Sequence, residues 1–359
     1  MRPMFFATSL SVLMACGGAT EGNPIVLGNP DQAPSGNPAA TPPATLEAVT
    51  TPTPNVDKVE TIVSGQTLPT GIAVGGGAIF FTSEGRPDVG RIDLDGNRRA
   101  ILNLNLDSAS NGSPLLHADA KGAFFASDKV VLGAAATGCA LDCDGFIPQF
   151  RTDIVEGSVI SLALDDTYVY ILTAVNVFDN AVYRAKRSLT ERYTAATPTT
   201  PERIASWKED RAAHLVASGN SLFASGDRTI HEIALATNKR RLIAIDGPLG
   251  PFGVDATHFH WVDSRGLVRK SRSAGTVEVV VPFQTPVGAP RFAAIGERGV
   301  YAFTDTGSDN TGILVRFDVQ SKSMTKLATD LAGALYGVAS EGWFYFADPR
   351  NGAVKRARD

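Results

Sequence analysis

Gly71-Ile72-Ala73-Val74-Gly75-Gly76-Gly77-Ala78-Ile79-Phe80-Phe81-Thr82 is the stretch on which the reading of this chain turns. A short apolar run meets three glycines, and a second apolar run with two aromatics follows. Glycine accepts the positive φ of a tight reversal, so the two runs read as neighbouring antiparallel strands. Further on, Val89-Gly90-Arg91-Ile92-Asp93 reads as a third strand. After an Asp95-Gly96 turn, Arg99-Ala100-Ile101-Leu102 reads as a fourth. A single unit of this kind cannot bury both of its faces.

The unit recurs, and its aromatic second strand is the best marker. It returns as Ala123-Phe124-Phe125-Ala126-Ser127, Tyr168-Val169-Tyr170-Ile171-Leu172 and Ser221-Leu222-Phe223-Ala224-Ser225. It returns again as His258-Phe259-His260-Trp261-Val262, Gly299-Val300-Tyr301-Ala302-Phe303 and Trp343-Phe344-Tyr345-Phe346-Ala347. An inner strand precedes these, as in Leu162-Ala163-Leu164, Leu215-Val216-Ala217 and Tyr336-Gly337-Val338. The spacing of roughly 40–50 residues is the size of one four-stranded propeller blade. No amphipathic helix separates the units, which argues against alternating strands and helices.

The last unit has only three strands before the chain stops, while Val59-Glu60-Thr61-Ile62-Val63 is a strand without a partner ahead of the first unit. If that strand completes the last unit, the ring closes and its edges are covered. The expectation is therefore an all-β, seven-bladed β-propeller of four-stranded blades, sealed by its N-terminal strand. Six or eight blades are the alternatives. Those alternatives rest on the second and third repeats, which carry insertions over Gly133 to Glu156 and Thr173 to Lys208.

Gly71-Ile72-Ala73-Val74 combines with strands that end in an acid: Phe80-Phe81-Thr82-Ser83-Glu84, Phe259-His260-Trp261-Val262-Asp263 and Phe344-Tyr345-Phe346-Ala347-Asp348. Together they resemble the NHL, YWTD and gluconolactonase-like propellers. The resemblance spans essentially residues 58–359 and implies architecture; fold does not fix function. Gluconolactonase-like and streptogramin-lyase-like members are enzymes that hold a metal with acidic or His side chains on one face.

The N-terminus indicates the compartment. Arg2, a short apolar stretch and a small residue before the cut describe a secretory signal, too short to span a bilayer as a helix. Leu13-Met14-Ala15-Cys16 resembles the bacterial lipobox. That resemblance implies cleavage before Cys16 and its acylation, as in a palmitate-bearing lipoprotein. Gly17, where Asp would suggest inner-membrane retention, favours the outer membrane. The expected organisation is a signal peptide at 1–15, a lipidated Cys16 with a tether at 16–57, and the propeller at 58–359. The tether is rich in Pro, Gly, Ala and Thr and has no Lys or Arg, so it cannot offset its ordering entropy and reads as an extended spacer.

A net charge of −4 argues against a nucleic-acid surface. The remaining cysteines, Cys139 and Cys143, lie close together in an exported chain, which favours a local disulfide; zinc would need two more ligands.

Acids follow the second strand in most units: Glu84, Asp128, Asp227, Asp263, Asp305 and Asp348. They read either as a carboxylate ring for a divalent cation or basic partner, or as caps of their own turns. Repetition is explained more simply by the second. His258 and His260 share one face of a strand and could begin a metal site, with no third ligand placed. His117 and His214 fall on inner strands that line the channel, where each could act as base or ligand or be structural. No cofactor is implied beyond a possible divalent cation.

The expected function is a lipid-anchored envelope module, monomeric, that binds or scaffolds a protein, peptide or glycan. The alternative is a metal-dependent hydrolase or lyase at the channel mouth.

Overall fold

The structure, a computed structural model, describes residues 59–66, 69–83, 88–94, 99–103, 115–126, 130–135, 147–151, 155–187, 200–245, 250–273, 275–283, 290–305, 312–331 and 336–358. Among these residues the strands form seven four-stranded antiparallel sheets and no α-helix is present. The architecture is the expected seven-bladed propeller. The inner strands of blades 1 to 7 are Pro69–Gly75, Leu116–Ala118, Ser158–Leu164, Leu215–Ser218, Gly253–Val254, Arg291–Gly296 and Gly337–Ser340.

The aromatic strands hold the ring together because successive side chains point to opposite faces of a sheet. In blade 1, Phe80 packs with Phe125 of blade 2, whereas Phe81 packs with Tyr345 of blade 7. In blade 2, Phe124 turns the other way and packs with Ile171 of blade 3. Seven apolar clusters fill the seven junctions between consecutive blades, the last joining blade 7 to blade 1. Each fully buried Phe contributes on the order of 1.5–3 kcal/mol. The core is thus a ring of interfaces, and no blade owns it.

Closure follows the expected route. Val59–Val63 pairs with Ala353–Arg358 as the fourth strand of blade 7, with Glu60 opposite Arg356 and Val59 opposite Ala357. A second contact secures it: the Gln66 N–H donates to the Gly352 carbonyl over 2.8 Å. Gly352 has φ +55°, and a Cβ there would lie 2.4 Å from the Gln66 carbonyl oxygen, so only glycine fits.

The supposed insertions need correction. Thr173 to Lys208 contains the third and fourth strands of blade 3, Asn180–Lys186 and Glu202–Trp207. Gly133 to Glu156 contains the fourth strand of blade 2, Ile147–Arg151. Both repeats are ordinary blades. Their outer strands lack the aromatic signature and sit beside long connections, which hid them.

The third-strand arginines join neighbouring strands. Arg184, Arg269 and Arg356 pair with Glu202, Glu278 and Glu60, each directly opposite on the fourth strand, at 2.8, 2.9 and 2.7 Å.

Every blade runs the same way, which defines two faces. The lower face holds the turns between first and second and between third and fourth strands. The upper face holds the turns between second and third strands and the connections between blades. Val59 lies opposite Ala357, at the lower end of blade 7, so the N-terminal chain enters the ring there.

Candidate functional site: the central channel and its two faces

The inner strands enclose a cavity of about 430 Å³. Its wall is mostly apolar, with Ile72, Val74, Leu116, Leu162, Leu164, Val216 and Val338 among the lining residues. The polar side chains in that wall are His117, His214 and Tyr336. His214 and Tyr336 each precede the inner strand of their blade, Leu215–Ser218 and Gly337–Ser340, so they stand at the same upper level. His117 lies on the inner strand of blade 2, two positions before the Asp119 turn and so nearer the lower face.

The channel favours the neutral form of both imidazoles. His117 is exposed to the channel space, and the channel walls enclose that space. That enclosure pushes its pKa down to about 4; nearby Asp119 pulls it up, and Arg187 pushes it down. His214 is also pushed down to about 4, first by enclosure and then by His117. The edge of its ring meets Phe252 at 5.9 Å. Burial raises the pKa of the Tyr336 hydroxyl, with Arg291 acting against it. The channel therefore offers apolar wall and a few neutral hydrogen-bonding groups.

The upper face carries the acids that follow the second strands. Asp348 is fully buried, 2.6 Å from the Lys355 ammonium, and accepts the Asn351 side-chain amide at 2.8 Å. Asp263 accepts the Arg265 backbone N–H at 2.8 Å, its guanidinium at 2.7 Å, and the Trp261 indole at 3.3 Å. Partial burial works to raise the Asp263 pKa, and the Arg265 bonds outweigh it and leave the carboxyl below its usual range. Asp227 is exposed at its turn. Glu84, Asp128, Cys16, Cys139 and Cys143 lie outside the described residues, as does the side chain of Asp305. Among the described residues no group of three His, Cys, Asp or Glu converges in a way that could hold a metal ion.

His258 and His260 do share a face, with ring centroids 6.0 Å apart. One nitrogen of each ring serves the turn beneath them, and the buried Nδ1 of His260 has no partner among the described residues. His260 Nε2 lies 2.7 Å from Asp255 Oδ2, and His258 Nδ1 lies 2.8 Å from the Thr257 hydroxyl. Asp255 Oδ1 also accepts the backbone N–H groups of Thr257 and His258 at 2.6 and 2.7 Å.

That acid belongs to a set the sequence reading overlooked. Asp119, Asp165 and Asp255 each end an inner strand and cap the lower turn with Oδ1. The second oxygen then differs by blade. It takes the Tyr170 hydroxyl in blade 3 at 2.5 Å and His260 in blade 5. In blade 2 the matching position is Phe124, which has no hydrogen to give. There Arg187 reaches over from blade 3, donates to both Asp119 oxygens at 2.5 and 2.8 Å, and lies over the Phe124 ring at 4.7 Å. The signal was present as Asp165-Asp166-Thr167-Tyr168-Val169-Tyr170 beside Asp255-Ala256-Thr257-His258-Phe259-His260.

His231 was also overlooked. It is wholly buried, stacked on Trp207 with centroids 4.5 Å apart, and bonded through Nε2 to Asp210 Oδ1 at 2.7 Å. The Arg240 guanidinium donates to Nδ1 at 2.9 Å, so the proton sits on Nε2 and the ring is neutral. Burial lowers its pKa, against the pull of Asp210. Both nitrogens are used, and the ring joins blade 3 to blade 4.

Comparison with protein-family models finds no match, and comparison with curated proteins finds none either. Solved structures are similar in fold. U3-55K is 11% identical, with a TM-score of 0.58 over 86% of this chain and 100% of that one. Hydrazine synthase of Kuenenia stuttgartiensis is 13% identical, with a TM-score of 0.56 over 82% and 97%. Virginiamycin B lyase from Staphylococcus aureus is 14% identical, with a TM-score of 0.55 over 84% and 98%. At such identities the likeness establishes a β-propeller and nothing of its chemistry.

Proposed function

We propose that this protein is a lipid-anchored envelope module that binds a protein or peptide partner, with an apolar segment of the partner seated in the channel. The supporting observation is the channel wall: apolar surface with neutral His117, His214 and Tyr336, the composition of a pocket that orients a weakly polar ligand. The NHL-like resemblance and the Cys16 anchor are part of the same reading. The anchor would hold the ring on the outer membrane, facing the periplasm or the cell surface.

Filling the channel tests it. Ala217→Trp and, separately, Ala294→Trp place a large side chain in the wall. Chemical cross-linking in the intact envelope should lose a discrete adduct in both variants while the melting temperature stays near wild type. Adducts that persist in both folded variants overturn the reading. Metal analysis of the untagged protein covers the enzymatic alternative: a stoichiometric divalent ion would replace binding with metal-dependent hydrolysis or elimination.

A further inference from the structure

The turn between the second and third strands of blade 3 carries Val175, Val177 and Phe178, with 51%, 58% and 52% of their surface exposed. Elsewhere among the described residues, large exposed apolar side chains stand singly. Here three fall within four consecutive positions, a grouping that ordinary surface composition does not require.

The turn is held rigidly with these side chains outward. Asn176 Oδ1 accepts the backbone N–H groups of Phe178 and Asp179 at 3.0 and 2.9 Å, and the Val175 N–H donates to the Asp179 carbonyl at 2.9 Å. Beneath it, buried Asn180 donates to the carbonyls of Phe178 and Asp210 at 3.0 and 2.7 Å and accepts the Ala212 N–H at 3.3 Å. An apolar tip fixed in advance loses little entropy when it is covered.

Two observations say what covers it. Beside the tip Asp179 pairs with Lys208 at 3.1 Å, and Glu209, Asp210 and Arg211 follow Lys208 in the segment that Asn180 binds, so the rim mixes both signs and forms no basic cluster. An anionic lipid surface selects basic clusters. An apolar centre inside a mixed polar rim is the anatomy of a protein interface. Second, the tip is on the upper face, whereas the N-terminal chain enters at the lower end of blade 7. The tip and the point where the N-terminal chain joins the ring are therefore on opposite faces.

We propose that Val175, Val177 and Phe178 form the apolar anchor on which a partner protein docks, inserting them into an apolar pocket of its own. This extends the binding reading above and concerns a surface separate from the channel wall.

The test places p-benzoylphenylalanine at position 177 or 178 of the full chain in its bacterial host, with position 324 on the lower face as control. The expected result is one defined protein adduct from 177 and 178 and none from 324. The adducted protein is then purified and titrated against the full chain. Val177→Asp with Phe178→Asp should weaken its Kd by about tenfold or more at unchanged melting temperature. The two serine substitutions replace the aspartates if these lower melting. Equal labelling from 324, no adduct from 177 or 178, or a chain-to-chain adduct overturns the proposal. So does binding to phosphatidylethanolamine–phosphatidylglycerol vesicles that the double variant abolishes. If Ala217→Trp abolishes partner binding and the tip variants do not, the channel reading stands and this one falls.

Discussion

Blade 3 and blade 7 each stack an arginine on an aromatic ring and pair it with a glutamate on the outer strand, but only blade 7 takes the pair from opposite ends of the chain. In blade 3 the Arg184 guanidinium lies over Tyr168 at 5.0 Å and meets Glu202 on the outer strand at 2.8 Å. In blade 7 Arg356 lies over Trp343 at 4.1 Å and meets Glu60 at 2.7 Å. The ion pairs span 18 residues in one case and 296 in the other. Loop-closure entropy grows with the logarithm of that span, so the second pairing costs about 2–3 kcal/mol more. An exposed ion pair supplies about 0–1 kcal/mol. The salt bridge therefore cannot seal the ring, and the seal comes from the whole outer strand and from the apolar cluster between blades 7 and 1.

Removing the strand is the strongest way to break this comparison. A chain that starts at Ser64 should lose its cooperative melt, followed by circular dichroism. A permutant that joins Arg358 to Val59 through a short Gly/Asn linker and opens blade 3 within residues 188–199 should still melt cooperatively, because it only exchanges the closing blade. A truncated chain that melts like the full one would end the argument.

The next effect belongs to blade 3 alone. Arg187 ties blade 3 to Asp119 of blade 2 and is 5% exposed. In blade 7, Arg356 reaches the neighbouring blade by donating to the Leu94 carbonyl at 3.0 Å. Arg187→Leu strips a part-buried carboxylate of its partner and should cost about 3 kcal/mol in denaturant unfolding. The change should also alter the acid limb. Partial burial works to raise the Asp119 pKa, but its bonds to Arg187 and the turn amides hold it below the usual carboxylate range. That stabilisation is present above the unfolded pKa of about 4 and is lost as pH falls toward the lower folded value. The variant should lose less stability over that window than wild type.

Smaller still is the ion pair itself. Double-mutant cycles of Glu60 with Arg356 and of Glu202 with Arg184, each to Ala, should return couplings of about 0.5 kcal/mol that fall with salt. A blade 7 coupling several times larger would mean that the pair does hold the ring shut.

The channel gives the least costly contrast. Blade 4 puts His214 at the level where blade 7 puts Tyr336. With folded pKa values of about 4, His117 and His214 should stay neutral by NMR until well below pH 6. The unfolded chain binds those protons near pH 6.5, so stability should fall as pH drops from about 6.5 to about 4 and level off below that. Replacing both with Gln should flatten that interval. Histidines that titrate near 6.5 would mean a wetter channel than its walls suggest.

Much of the ring was legible in the sequence, for a physical reason. Strands buried between two neighbours need large apolar residues on both faces, so Phe80-Phe81 and Phe344-Tyr345-Phe346 stand out in the chain. The orphan Val59–Val63 strand was legible from the three-stranded end. Outer strands such as Glu202–Trp207 were not, because half of their residues face water and their pattern is weak. The acids after the second strands were noticed as a repeat. Asp119, Asp165 and Asp255 were missed, because a turn acid is significant only once its partners are known, and Arg187 lies 68 residues from Asp119. The exposed tip at Val175 was hidden for another reason: in one dimension it looks like the end of a buried strand.

The position of Val59 has a mechanical consequence. With the upper face held and the N-terminal chain pulled, tension runs along the axis of Val59–Val63. Its hydrogen bonds to Ala353–Arg358 are then loaded side by side, in shear, and must yield together. The segment that completes the ring is also the first to bear any load placed on its leash, and its five residues set the force at which the ring would open.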